Sequence, residues 1–274
     1  QREPFTVFII KTVTFTDTYL IALAGIISMM TFLWLASIKL RNVSIVDLFW
    51  GLGFMGAGIY YFLVTDDGFE PRKIMTLILI CVWGIRLSVY LTWRNYGKGE
   101  DIRYQNFRKN YGEHRYWWIS FFQTFLLQGV LMWIISAPLL GASFSSEHTS
   151  FNFLDFTGLF LCVSGIVFET TGDLQLTLFK QKPENKGKVM RSGLWKYTRH
   201  PNYFGDSLVW WGFGLISTAA GVYWPLISSA IMTFLLLKVS GVAMLDKTMV
   251  SRKPAYQDYI ETTSGFFPWF PKTK

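Results

Sequence analysis

Residues 193–206 read GLWKYTRHPNYFGD and set Arg199, His200, Asn202, Tyr203 and Asp206 within eight positions at the start of an apolar run. With Trp195 just before them, they form a candidate binding group for a cofactor. A purely structural span has little use for so many hydrogen-bonding groups at its mouth. Pro201 suits the first turn of a helix, where its missing N–H costs nothing. The free N–H groups of that turn carry the positive end of the helix dipole and can hold an anion. A phosphate-bearing ligand is the natural candidate.

Other residues could join this chemistry. Glu169 and Asp173 lie four apart and Lys180 seven further on, so the three share one helical face with Thr177. Two carboxylates on a hydrophobic helix are costly unless they meet donors. A cofactor ribose or amide, or Arg199, would satisfy them; so would water reached by an intrahelical pair. Trp83, Arg86, Tyr90 and Arg94 also share one face. Arg94 reads as a side chain snorkelling to the headgroups. Arg86 is deep enough for an interior role, and with Trp83 it is a candidate for binding substrate. Asp47 follows Ser44 by three residues, the spacing of a capping box. An acid in a membrane stretch can also bind or protonate a substrate. Glu100, Asp101, Arg103 and Tyr104 form a compact acid–base–aromatic cluster. Asp47, Tyr90 and Tyr104 are the candidate catalytic acids. Lys182, Lys186, Lys188 and Arg191 make the loop 181–192 basic, which suits a phosphate and suits membrane topology equally. Gln123 and Gln128 read as packing amides. Tyr256 and Tyr259 share a turn in the tail, which reads as a surface amphipathic segment or as a lid.

The elements that must position these groups are transmembrane helices. The chain is about half hydrophobic, rich in Phe, Tyr and Trp and poor in charge, which describes an all-α polytopic membrane bundle. Seven apolar stretches approach the ~20 residues of a spanning helix: 17–38, 45–65, 73–93, 118–140, 153–179, 203–220 and 222–245. The last two should form an antiparallel hairpin about Gly221 and Pro225. A six-span alternative leaves 45–65 partly inserted. The formal charge of +8 is concentrated in 94–115, 180–199 and 246–274, while 66–70, with Asp66, Asp67 and Glu70, and 141–152 are acidic or nearly uncharged. That alternation places the amino terminus outside and the carboxyl terminus in the cytoplasm, and it argues against a nucleic-acid partner. Cys81 and Cys162 fall inside helices and read as packing residues. Three histidines without metal-ligand spacing argue against a metal enzyme. The sequon at Asn42 falls on the cytoplasmic side and should stay unmodified. No cleavable signal peptide is visible, although a chain starting at Gln1 leaves its native start open. One domain, 1–274, is expected, with a lipid-substrate half over 17–140 and a cofactor half over 153–274.

Taken together, GLWKYTRHPNYFGD, the preceding ETTGDLQ, the closing FFPWFP, the opening SIVDLFWG and the EDIRY loop resemble one family. It is the uncharacterised DUF1295 branch of the steroid 5α-reductase-like membrane proteins, related to isoprenylcysteine carboxyl methyltransferases and sterol reductases. The resemblance implies a seven-helix enzyme binding NADPH on the cytoplasmic side. By position, it implies cofactor contacts at Asp173, Asn202 and Asp206. Lys180 and Lys238 fall where the family has arginines near the phosphates, and Asp246 and Lys247 fall in the stretch covering the cofactor. Steroid 5α-reductases polarise the substrate carbonyl with a Glu on helix 2 and a Tyr on helix 3. This chain has Asp47 and Trp83 there, which leaves Tyr90 or Tyr104 as the substitute.

The leading expectation is NADPH-dependent reduction of an activated carbon–carbon double bond in a lipid-soluble enone, admitted sideways between helices 1 to 4. One alternative is a lipid or prenyl methyltransferase using S-adenosylmethionine, which carries no phosphate. Another is an accessory subunit of a larger membrane complex. Steroid, isoprenoid, quinone and fatty enones fit equally, as do a bacterial inner membrane, the endoplasmic reticulum and a mitochondrial membrane.

Overall fold

A computed structural model describes residues 14–66, 68–144, 149–239 and 241–272. Asp67, counted above with the acidic loop, lies outside them, as does Gln1. The described residues contain helices and no strand. In chain order the helices are α1 (Phe15–Leu40), α2 (Ile45–Leu48), α3 (Trp50–Val64), α4 (Glu70–Asn95) and α5 (Ile102–Tyr111). Next come α6 (Glu113–Phe144), α7 (Phe153–Gln181) and α8 (Pro201–Ala219). The last are α9 (Leu226–Phe234), α10 (Val242–Arg252) and α11 (Ala255–Thr262).

Five helices are long and apolar enough to cross a bilayer: Phe15–Leu40, Glu70–Asn95, Glu113–Phe144, Phe153–Gln181 and Leu226–Arg252. Length and composition thus make this an integral membrane protein. The stretch expected to span at 45–65 is broken at Phe49 into α2 and the fifteen-residue α3. The stretch expected at 203–220 is α8, nineteen residues with Asn202, Asp206 and Ser207 in its first two turns. Neither joins the five. Residues 226 onward fold back on α8 as the hairpin requires: the Ser229 hydroxyl donates to the Trp210 carbonyl at 2.7 Å, and Ser207 pairs with Thr233 at 2.8 Å.

Two π-helical turns interrupt long helices, Phe121–Leu126 within α6 and Leu235–Val239 directly after α9. Such turns add a residue to the helical repeat and re-aim the side chains beyond them. The first lies just before Gln128 and Leu131, and the second contributes Leu235, Leu236 and Val239, all of which line the site described below.

Close helix approach depends on missing side chains. A Cβ on Gly165 of α7 would strike the Gly205 carbonyl, and one on Gly205 of α8 would strike the Glu169 backbone nitrogen. Small residues let membrane helices meet at backbone distance. Here the contact brings Asn202 and Asp206 of α8 against Asp173 and Glu169 of α7. Gly51 and Gly84 do the same where α3 crosses α4, one residue from Trp50 and Trp83.

The end of the bundle away from these carboxylates is fixed by a buried ion pair. Arg72 Nε donates to Asp155 Oδ1 at 2.7 Å, with both side chains fully buried. Asp155 also accepts from the Asn152 backbone N–H at 2.9 Å, while the Asn152 side chain accepts from the Leu154 N–H at 2.9 Å. The resulting cap starts α7 and ties it to α4. Asn152→Ala removes the cap and the 3.0 Å bond to the Ala219 carbonyl. It is expected to cost about 1 kcal/mol, read as a lower melting midpoint of the detergent-solubilised protein; an unchanged midpoint would show that the cap does not limit stability.

Cys81 and Cys162 are both free thiols, as expected. Among the described residues no group of His, Cys, Asp or Glu is arranged to hold a metal ion.

Candidate functional site

The three basic segments converge on one end of the bundle, around a cavity of about 410 Å³. Arg94, Arg103, Lys180, Lys186, Lys188 and Lys253 line it, with Trp195, His200, Asn202, Tyr203, Tyr256 and Tyr259. The loop after α7 is pinned first. Gln175 Oε1 accepts from the Leu194 N–H at 2.9 Å, and the Trp195 indole donates to the Gly172 carbonyl at 3.0 Å. The tail then closes over it. Arg191 bonds Asp258 and the Ala255 carbonyl, each at 2.6 Å, and the Tyr259 hydroxyl donates to the Trp195 carbonyl at 2.5 Å.

Arg199 holds this tail. Its guanidinium donates to Asp246 at 2.7 Å and to the carbonyls of Ile260 and Thr263, and its backbone N–H bonds the Ser264 carbonyl at 2.9 Å. Asp246 is a hub, receiving Arg199, the His200 ring at 3.0 Å and the Tyr256 hydroxyl at 2.7 Å. Burial, with the Asp246 carboxylate adding to it, pushes the Tyr256 phenol up, so it remains a donor. Glu169 and Asp173 are satisfied by Arg86 rather than by Arg199. Lys238 is exposed, lines neither this cavity nor the next, and sits in the π turn after α9. Lys247 is exposed as well.

A second cavity, of about 310 Å³, lies deeper in the bundle and shares Arg94, Arg103, Asn202 and Tyr203 with the first. These four residues are the boundary between the two. On the α7 side, Arg86 reaches Glu169 at 2.7 Å and Asp173 at 3.2 Å. Trp83, fully buried, donates to Glu169 at 3.1 Å, and the Asn202 amide donates to Asp173 at 3.3 Å. Asp206 lines the same wall. Tyr90 packs its ring under the guanidinium groups of both Arg86 and Arg94.

On the facing side, the Tyr104 hydroxyl donates to Asp47 at 2.6 Å and Arg103 donates to the other Asp47 oxygen at 2.7 Å. Gln128 donates to the Tyr104 oxygen at 3.3 Å and accepts from the Trp50 indole at 2.5 Å. The capping box suggested by Ser44 and Asp47 does not form. Ser44 accepts instead from the Asp101 backbone N–H at 2.6 Å, and Asp101 itself caps α5. The Asp47 carboxylate is thereby left to Tyr104. Burial, reinforced by the Asp47 charge, holds the Tyr104 phenol well above its usual range. The remaining wall is apolar: Leu87 and Leu91 of α4, Leu131 of α6, Met232 of α9 and Leu235, Leu236 and Val239 of the π turn. Of the four stretches expected to admit substrate, 45–65, 73–93 and 118–140 contribute to this lining, and 17–38 does not.

Of the candidate residues, Asp47, Tyr90, Tyr104, Glu169, Asp173 and Asp206 meet at the inner cavity, with Trp83. Lys180, Trp195, Arg199, His200, Tyr256 and Tyr259 meet at the outer one, and Asn202 and Tyr203 serve both. Gln128, read from the sequence as packing, proves to be part of the Tyr104 hydrogen-bond network. Its only sequence signal was an amide in an apolar helix.

A protein of Schizosaccharomyces pombe, itself uncharacterised, is 24% identical over 267 aligned positions, covering 86% of this chain and 75% of that protein. A probable O-methyltransferase of Ustilaginoidea virens is 30% identical over 92 residues, which are 34% of this chain and 32% of that protein. No solved structure matches. Residues 33–263 match the family described as proteins of unknown function, DUF1295. Motif and family thus agree, and this chain belongs to the DUF1295 family.

Proposed function

We propose that the protein is an NADPH-dependent reductase of a conjugated carbonyl in a lipid-soluble substrate. The observation that carries this reading is the junction of two unlike cavities. A basic outer one leads past Asn202 and Tyr203 into an inner one that pairs an apolar wall with a Tyr104–Asp47 acid. The residues present fit the cofactor: Lys180, Lys186, Lys188 and Lys253 suit its phosphates, and the Asn202 amide and the Asp206 carboxylate are placed to meet its polar groups. When bound, NADPH supplies a hydride to the β-carbon of the conjugated system.

The chain's own part is to hold and deliver a proton. The Tyr104 O–H, turned from Asp47 to the substrate oxygen, protonates the developing enolate. Arg103 stands 5.3 Å from the Tyr104 ring, and with the Gln128 amide it offsets the phenolate charge left behind. Asp47 keeps Tyr104 oriented and Arg103 in place. The apolar wall excludes water from the enolate.

Lys186→Ala with Lys188→Ala tests the reading. A charge-assisted bond to phosphate is worth about 1.5–3 kcal/mol, so NADPH affinity should fall at least about tenfold by calorimetry while the fold persists. Unchanged NADPH affinity would overturn the phosphate assignment. A second reading, an S-adenosylmethionine-dependent methyltransferase, is favoured by the similarity to the probable O-methyltransferase over a third of the chain. That cofactor has no phosphate, so its binding should be insensitive to the same pair of lysines.

The seven-span topology, with the amino terminus outside and both cavities toward the cytoplasm, belongs to this proposal. The convergence of the basic segments on one end supports it.

A further inference from the structure

The charges of the inner cavity do not balance. Glu169, Asp173 and Asp206 crowd one wall, and Arg86 is the deep guanidinium among them. Arg86 spends itself on Glu169 and Asp173. Arg103, the cation on the facing wall, is committed to Asp47 at 2.7 Å and to Asp101 at 2.9 Å. Arg94 lies at the boundary with the outer cavity, over the Tyr90 ring. Asp206 is therefore left over. It is only 8% exposed, it lines the cavity, and its Oδ1 is fully buried without a hydrogen-bond partner. A carboxyl without a partner in a low-dielectric site is costly to ionise unless a positive charge comes to it, and it otherwise keeps a proton. The fold creates this situation deliberately enough: Gly165 and Gly205 bring α7 and α8 to backbone contact at this level.

A dihydronicotinamide ring is neutral, and loss of its hydride, with the electron pair of the C–H bond, leaves the ring one positive charge. That charge grows as the hydride leaves. A fixed negative group facing a developing positive charge lowers the barrier because it costs no reorganisation at the moment of reaction.

Resting on the NADPH reading, we infer that the inner carboxylates, Asp206 chief among them, form an electrostatic site for the cationic, oxidised ring of the cofactor. Asp206 thereby favours hydride release and binds the oxidised cofactor in preference to the reduced one. The same wall suits a sulfonium, the other cationic centre that a cofactor of this size could present, so the experiment separates the two sources.

NADP⁺ and NADPH are titrated calorimetrically into the detergent-purified wild type, Asp206→Asn and Asp206→Glu, with S-adenosylmethionine and S-adenosylhomocysteine as parallel arms. Removing one charge from a buried wall should weaken NADP⁺ about tenfold more than NADPH. Asp206→Glu should keep the wild-type ratio. Equal losses for the two forms in Asp206→Asn, or no loss for either, would overturn the inference while leaving NADPH binding standing. If neither nicotinamide nucleotide binds the wild type, the reductase reading falls and this inference falls with it; discrimination of S-adenosylmethionine from its neutral product would then mark the sulfonium as the source. If Asp206→Asn does not fold, the same ratio in Glu169→Gln decides.

Discussion

Tyr104→Phe is expected to cut turnover by about 10²–10⁴-fold, the usual range for loss of a positioned acid, while NADPH affinity stays within about twofold. The hydroxyl it removes is the group that donates to Asp47 at 2.6 Å and accepts from Gln128 at 3.3 Å. The ring, its packing against Phe107 and its place at the cavity wall remain. Because the phenol is held well above its usual range by burial and by Asp47, Tyr104 is protonated across the physiological pH range. Ionisation of Tyr104 should therefore not lower the wild-type rate on the alkaline side up to the usual tyrosine range near pH 10. The comparison is with Tyr90→Phe. Tyr90 sits between the Arg86 and Arg94 guanidinium groups, a place suited to positioning rather than to protonating an enolate. If Tyr90→Phe abolishes turnover and Tyr104→Phe does not, the acid has been assigned to the wrong tyrosine.

Arg86→Ala should be among the most damaging single changes to stability. It strips the guanidinium that meets Glu169 at 2.7 Å and Asp173 at 3.2 Å and leaves three carboxylates facing one cavity. Breaking a buried pair from one side costs about 3–5 kcal/mol, because the remaining charge is uncompensated. The thermal midpoint in detergent reports the loss. Adding Glu169→Gln should recover part of it, since that change removes one of the stranded charges. If the single variant melts like the wild type, the carboxylates are not held by Arg86, and the charge argument for Asp206 fails as well.

The long helices were legible because a bilayer demands long apolar runs. The expected spans 17–38, 73–93 and 153–179 lie within α1, α4 and α7. The break at Phe49 was not legible, since the apolar run continues unbroken across it. The site was legible in its members and illegible in its pairings. The spacing of Ser44 and Asp47 fits a capping box, yet Asp47 goes to Arg103 and Tyr104, fifty-six and fifty-seven residues on. Local chemistry proposed one partner and tertiary contact supplied a better one. Arg199 stood out by its company in the motif, but its acceptors include the main-chain carbonyls of residues 260 and 263, which carry no side-chain signal. Arg86 was singled out by its depth; that its partners are Glu169 and Asp173 depends on how α4 packs against α7. Gln128 lies just after the π turn Phe121–Leu126 in α6, which a regular helical period does not anticipate.

The most direct measurement is the thermal stabilisation of the purified protein by NADPH, NADH and S-adenosylmethionine in parallel. A ligand that binds only the folded state adds about 2.7 kcal/mol at a hundredfold excess over its dissociation constant. The account predicts a clear rise in midpoint with NADPH, a smaller one with NADH, which lacks a phosphate for the lysine cluster, and none with S-adenosylmethionine. A rise with S-adenosylmethionine alone would contradict it in favour of the methyltransferase reading, and no rise with any of the three would move the accessory-subunit reading to the front.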